Sequence, residues 1–264
     1  MNLKEKMYSG HMIAGCMMRV VRNSLAATFA RQAGLDFIML DCEHGCYDYE
    51  TLHDIFIALN LNGISGMVRV PELSKGHVSR VLDCGAAGVM IPMVNTVEEA
   101  RLAVKYSKYK PIGGRGFIGA TAFDEYSAGG KKVPQIMEEQ NKRVITIAQV
   151  ESAEAVENID DIAAVEGVDV LQIGQADLSI SLGVPGEFDS PIFHKAVRRV
   201  ADSCKKHKKI FGMASVVPLF ENYANEVGII IQGTDVDFLV KGMKQLAELR
   251  DGYNKKPGRP SETK

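Results

Sequence analysis

The chain has 264 residues, of which 46% are hydrophobic and 24% charged, with a formal net charge of −2. That balance suits a water-exposed globular domain and excludes a surface built to neutralise nucleic acid. No apolar run approaches the roughly 18–20 residues that span a bilayer.

The amino-terminal MNLKEKMYSG carries charges but no apolar core, so it does not read as a secretory signal, and a cytoplasmic location is expected. The cysteines, Cys16, Cys42, Cys46, Cys84 and Cys204, are odd in number, and reduced thiols are expected. Cys42 and Cys46 lack the second pair that a zinc site would need. The basic run KKHKK (205–209) reads as a solvated helix end.

In chain order, eight short apolar runs predict strands: IAGCMM (13–18), FIMLD (37–41), GMVRV (66–70), GVMIP (88–92), VITIAQV (144–150), VDVLQIG (168–174), IFGMA (210–214) and GIIIQG (228–233). Their near-continuous apolar character is that of strands covered on both faces. Segments with apolar residues three and four apart lie between them, such as SLAATFARQAG (24–34), YETLHDIFIALNLNG (49–63), TVEEARLAVKYS (96–107) and SPIFHKAVRRVADSCKKH (190–207). Gly34 and Gly63 mark helix ends, and Thr96, Ser190 and Asp235 mark helix starts. Eight βα units in a chain of this length predict a single-domain TIM (β/α)₈ barrel over residues 1–253, in preference to a doubly wound sheet. The polar tail 254–264 is expected to be disordered. Residues 108–143 hold no clear strand, and 118–143 are expected to close over the site as a lid.

Barrel enzymes place their chemistry at the carboxyl ends of the strands. There the second strand brings Asp41, Glu43 and His44, the third Arg69, the fifth Gln149 and Glu151, and the sixth leads into Gly174, Gln175, Ala176 and Asp177. Glu151 and Asp177 end adjacent strands, about 4.8 Å apart, so they are placed to share one hard cation such as Mg²⁺ or Mn²⁺. Asp177 as a helix cap and Glu151 in an ion pair is the competing reading. His44 is the one histidine at such a strand end, with a side chain suited to proton transfer near neutrality. Arg69, inside an apolar strand, needs an anion. No run has a lysine in its carboxyl-terminal half, which disfavours a Schiff-base aldolase. The GGRGF stretch (113–117) reads as a turn rather than a phosphate cradle, since it does not join a strand to a helix.

These residues sit in FIMLDCEHG (37–45), VRVP (68–71), VLDCGAAGVMIPMVNTVEEA (81–100), GGRGF (113–117), AQVESAEAVENID (148–160) and VEGVDVLQIGQADLSISLG (165–183). In that order they resemble the HpcH/HpaI aldolase family, metal-dependent pyruvate aldolases that act on 4-hydroxy-2-oxo acids. The similarity runs over the whole chain except its tail. It implies Glu151 and Asp177 as ligands of a divalent ion, Mg²⁺ or Mn²⁺ first, with Co²⁺ or Zn²⁺ as substitutes. It further implies His44 as the base with Asp83 as its carboxylate partner, Arg69 facing the keto oxygen, and Gln149 beside metal and substrate. Asp41 and Glu43 take supporting roles. The backbone from Gly174 through Ala176 to Asp177 would receive the substrate carboxylate. The implied partners are pyruvate and an aldehyde, with no nucleic acid and no membrane. The implied assembly is a homo-oligomer, a hexamer or trimer of dimers with exchanged helices. Gln175 stands where relatives carry proline, and Cys42 and Cys46 where they carry small residues. The rival readings are a CoA-ester lyase of the citrate-lyase β-subunit type and a barrel that binds a keto acid without turning it over.

Overall fold

The computed structural model describes residues 1–124, 126–127, 130–214 and 219–255. The chain begins with α1 (Leu3–Tyr8), β1 (Ile13–Met18), α2 (Ala26–Ala33), β2 (Phe37–Asp41), α3 (Tyr49–Leu61) and β3 (Ser65–Arg69). It continues through α4 (Lys75–Asp83), β4 (Gly88–Ile91), α5 (Val97–Ser107), α6 (Val133–Arg143), β5 (Ile145–Val150), α7 (Ala153–Glu157) and α8 (Ile159–Ala164). The last third holds β6 (Val170–Ile173), α9 (Gln175–Ser181), α10 (Pro191–His207), β7 (Ile210–Met213), β8 (Val227–Thr234) and α11 (Asp235–Asn254). The strands close in chain order into one parallel barrel, β8 pairing with β1, as the eight apolar runs predict. Among the described residues no helix is long and apolar enough to cross a membrane.

Strand side chains alternate between the barrel interior and the helix layer. Ile38, Leu40, Val68, Val89, Ala148 and Leu171 point outward into the helices. Phe37, Met39, Met67, Met90, Ile145, Ile147 and Val170 point inward, and α1 seals the amino-terminal end of the barrel with Met7. Two residues further along, the same inward face turns polar: Met39 gives way to Asp41, Met67 to Arg69, Ile147 to Gln149 and Val170 to Gln172. The apolar lower layers thus form a rigid floor, and the period of two places four polar side chains in one ring above it. Asp41 pairs in register with Arg69, and Gln172 with both Gln149 and Gly212.

Two expectations change. The helix after β8 is capped by Thr234, whose side chain accepts the Asp237 N–H, and Asp235 is its first residue. The buried Asp235 carboxylate instead accepts the backbone N–H groups of Arg19, Val20 and Val21, at 3.1, 2.9 and 2.7 Å, and so pins the loop leaving β1. Asp235→Ala is expected to cost roughly 3 kcal/mol, because it leaves several donors without an anion. Urea unfolding should show a lower midpoint at unchanged slope.

Second, the described residues of 108–143 do not lie over the mouth of their own barrel. They join α5 to β5 and contain α6, so they pack at the amino-terminal ends of the strands. Ala122 sits against Gly85, and Lys110 and Met137 share a groove with Lys4 and Tyr8 of α1. The reason is topological: an αβ connection in a parallel barrel returns to the floor, whereas βα connections form the mouth. GGRGF belongs to this floor as irregular chain just past the turn at residues 110–112, its Arg115 buried against Asp83 at 2.5 Å.

The expected tail, residues 254–264, begins at the last residue of α11, Asn254, and its residues 256–264 lie outside the described residues. Asp235 is the sole buried residue of α11, while Phe238, Met243, Leu246 and Leu249 are exposed. The outward-facing Ile230 of β8 is correspondingly only half-buried.

Candidate active site

At the mouth, Asp41 and Arg69 form a buried two-point pair: Nε donates to Oδ1 at 2.9 Å and Nη2 to Oδ2 at 2.7 Å. Such a fork fixes the guanidinium plane. Burial alone would raise the Asp41 carboxyl, but the hydrogen bond and charge of Arg69, with the backbone N–H groups of His44 and Glu43, hold it below the usual range. The same two backbone bonds tighten the turn after β2 and so set where His44 projects. Glu43 Oε2 lies 3.0 Å from Arg69 Nη1 and 3.9 Å from His44 Nε2. Burial pushes the Glu43 carboxyl up, against the opposing pull of Arg69.

Glu151 follows β5 and is buried. Its Oε1 accepts the Met93 N–H at 2.7 Å and its Oε2 accepts from Gln149 Nε2 at 2.7 Å. Met93 has a left-handed backbone (φ 52°), a conformation that costs a non-glycine residue energy and is tolerated here where its N–H reaches Glu151. Gly174 must be a glycine, since a Cβ there would stand 2.4 Å from Glu151 Oε2 and 2.8 Å from Gln149 Nε2. It begins α9 without a side-chain cap, and Asp177 lies in the first turn, exposed to the mouth. Glu151 is pushed up to about 7, first by burial and then by the neighbouring charges of Glu43 and Asp177, the Met93 N–H opposing.

The structure therefore brings Asp41, Glu43, Arg69, Gln149, Glu151 and Asp177 together, with His44 on the exposed rim. It does not bring Asp83 to His44 within one chain. Asp83 ends α4, at the floor, where Arg115 holds it. The buried or half-buried lysines Lys108 and Lys209 are also at the floor, donating to the Val144 carbonyl and Asp169, and to the carbonyls of Val165 and Val168. No imine-forming lysine stands among the described residues of the mouth.

Four carboxylates, Asp41, Glu43, Glu151 and Asp177, thus face one guanidinium, Arg69, in a partly dehydrated site. Such an excess favours a bound cation. Gln149 Oε1 is buried and has no hydrogen-bond partner among the described residues. The oxygen-only donors, with Glu151 raised by burial and then by its anionic neighbours, fit a hard divalent ion. No group of three or more His, Cys, Asp or Glu is placed to hold a metal ion among the described residues, so an ion on Glu151 and Asp177 would need water and substrate to fill the rest, as Mg²⁺ sites commonly do.

Two elements of the site escaped the sequence reading. Met93 has no side-chain signal, because its contribution is a backbone N–H. Gln172 did have one: it follows Val170 at the strand period, and a polar residue in the inward series of a buried strand needs a reason.

A family model described as HpcH/HpaI aldolase/citrate lyase matches residues 17–237. The chain belongs to that family. A 4-hydroxy-4-methyl-2-oxoglutarate aldolase of Chaetomium globosum is 34% identical over 220 residues, covering 81% of this chain and 80% of that protein. A 5-keto-4-deoxy-D-glucarate aldolase of Klebsiella pneumoniae is 30% identical over 236 residues, covering 89% of this chain and 90% of that protein. Among solved structures, an HpcH/HpaI aldolase from Desulfitobacterium hafniense superposes with a TM-score of 0.89 at 29% identity, covering 99% of this chain and 100% of that one. These relatives are aldolases, and the chain is a carbon–carbon lyase on a TIM barrel.

Proposed function

We propose that the chain reversibly cleaves a 4-hydroxy-2-oxo acid into pyruvate and an aldehyde, with a divalent ion held by Glu151 and Asp177. The observation that carries this is the carboxylate excess at the mouth, beside one fixed arginine and with no lysine among its described residues. When bound, Mg²⁺ or Mn²⁺ supplies Lewis acidity toward the keto and carboxylate oxygens of the substrate.

The protein's own groups do the rest. Arg69 spends three nitrogens on Asp41 and Glu43, and its remaining N–H groups face the keto oxygen. The uncapped backbone from Gly174 through Ala176 to Asp177 orients the carboxylate. His44 Nε2, on the rim, accepts the proton of the 4-hydroxyl as the C3–C4 bond breaks. The electron pair of that bond moves onto the keto acid, and the Arg69 guanidinium faces the charge that develops on its oxygen. Gln149 orients Glu151. Asp83 can take part only from a second copy of the chain.

A homo-oligomer fits this reading. The exposed apolar residues of α11 and the open outer face of β8 are what exchange of the last helix between copies would cover. The cytoplasm is its proposed place of action.

Deuterium exchange into the pyruvate methyl group, followed by NMR in D₂O, tests the reading without knowledge of the aldehyde. Exchange is expected with Mn²⁺ or Mg²⁺ and is expected to stop with EDTA. No exchange under either condition leaves a keto-acid binder rather than an aldolase.

A further inference from the structure

Each oxygen of Glu151 accepts a hydrogen bond from the protein, but the two donors are held differently. Gln149 Nε2, which donates to Oε2, belongs to the rigid strand β5. The Met93 N–H, which donates to Oε1, belongs to the loop between β4 and α5. Met93 presents that N–H from a left-handed backbone (φ 52°), which a residue with a Cβ keeps only where its surroundings over-determine it. Met93 is itself exposed, so packing of its side chain contributes little to holding it.

The two residues that follow do the holding. Val94 is buried, and its N–H donates to the Gln149 carbonyl at 3.3 Å. Asn95 is engaged at three points: its N–H donates to Glu99 at 2.8 Å, its carbonyl accepts from the Asn158 amide at 2.9 Å, and its Oδ1 accepts from Ser152 Oγ at 2.5 Å. The start of α5 has its own capping box between Thr96 and Glu99, so the Asn95 side chain is not needed there. It reaches across instead to the turn after β5. Ser152 directly follows Glu151, is buried, and accepts the Ala155 N–H at 3.0 Å as the cap of α7. A hydroxyl that caps through a lone pair keeps its one proton, and that proton goes to Asn95. The next residue, Ala153, donates its N–H to Ser181 at 2.9 Å, at the end of α9, the helix that carries Asp177. The loop after β4, the turn with Glu151 and the helix with Asp177 are thus tied in series.

We propose that Asn95 is a positioning residue for the metal site: its bond from Ser152 holds the loop after β4 against the turn after β5, keeps the Met93 N–H on Glu151, and so fixes the plane in which that carboxylate meets the ion. This rests on the reading of Glu151 as a metal ligand. Asn95 acts through Ser152 and Met93. Releasing its side chain lets Met93 relax to an ordinary backbone, which carries the N–H away from Oε1. Glu151 then keeps the Gln149 donor alone and can turn about it. Groups that orient a ligating side chain typically contribute about 10- to 100-fold in metal affinity.

Titration calorimetry with Mn²⁺, beside urea unfolding in EDTA, tests this without turnover. Asn95→Ala is expected to weaken Mn²⁺ binding by about tenfold or more. Asn95→Asp keeps an oxygen for the Ser152 hydroxyl and is expected to bind Mn²⁺ as the wild type does. Ser152→Ala removes the same bond from the other side and carries the same expectation as Asn95→Ala, should that variant fail to fold. The double variant is expected to bind no more weakly than the weaker single one, because both changes remove one interaction. A lowered unfolding midpoint with Mn²⁺ affinity unchanged makes Asn95 a tie for the fold only and overturns the proposal. An aspartate variant as weak as the alanine one also overturns it. Mn²⁺ binding that is lost in Glu151→Ala but kept in Asn95→Ala overturns this proposal alone. A wild type that binds no Mn²⁺, or a Glu151→Ala variant that binds it equally well, overturns the metal reading and this proposal with it.

Discussion

Arg69→Lys is expected to fold and to lose on the order of 10²–10³ in kcat, the usual consequence of removing a fixed donor from developing negative charge. Lysine keeps the charge that the buried Asp41 and the half-buried Glu43 require, but it offers a single ammonium in place of a planar fork. In the native site three guanidinium nitrogens are engaged by Asp41 and Glu43, and that engagement aims the remaining N–H groups. An ammonium drawn toward Asp41 has no second arm for a substrate oxygen. Arg69→Ala is a poorer probe. It strands two acidic groups beside Glu151, and breaking a buried pair in this way typically costs about 3–5 kcal/mol of stability. The two variants separate the roles: the lysine variant should lose turnover with its unfolding midpoint nearly kept, and the alanine variant should lose both. Steady-state kinetics beside urea titration reads this directly. A lysine variant with near-native kcat would remove Arg69 from the chemistry and leave it a structural counter-ion.

How far the sequence reached follows from what each feature depends on. The barrel was legible because eight buried strands leave eight apolar runs, and the period of each run needs no tertiary information. Asp41, Arg69, Gln149 and Glu151 were legible because they interrupt or end those runs. The lid was misplaced because a long segment without strands looks the same in sequence at either end of a barrel. Only its position between a helix and the next strand assigns it to the floor. Asp235 was taken for a cap because Thr234 and Asp235 are both good capping residues. The choice was made by three distant N–H groups at residues 19–21. Asp83 came from resemblance alone, and its bond to Arg115 is a long-range pairing that spacing does not encode. Met93 acts through its backbone, which composition does not reveal.

Glu151→Gln is expected to stabilise the metal-free protein at pH 8 while removing its response to metal. The Glu151 carboxyl stands at about 7 in the fold against 4.5 as its ordinary value. Between those values the unfolded chain is ionised while the folded one keeps its proton. The folded state therefore binds more protons, and stability falls as pH rises. The contribution is fully present below about pH 4.5 and is lost as pH passes through about 7; the difference of 2.5 units corresponds to about 3 kcal/mol. Glutamine removes that loss and can still accept the Met93 N–H, so the variant should gain up to this amount at pH 8 in EDTA and little near pH 4.5. A divalent ion offsets the same loss in the wild type by a different route. Held by Glu151 as proposed, it would bind the ionised carboxylate of the folded state and add RT ln(1 + [M]/Kd), about 2.7 kcal/mol at a hundredfold excess over Kd. Its affinity should weaken below about pH 7 as the proton competes. Urea unfolding of both proteins at pH 5.5 and 8, with EDTA and with Mn²⁺, separates the two effects. A glutamine variant weaker than wild type in EDTA at pH 8 would refute the cost of the ionised carboxylate, and one that still gains stability from Mn²⁺ would place the ion elsewhere. The expected outcome, a protein made more stable by losing the group that holds its metal, marks Glu151 as a residue kept for chemistry at a cost to the fold.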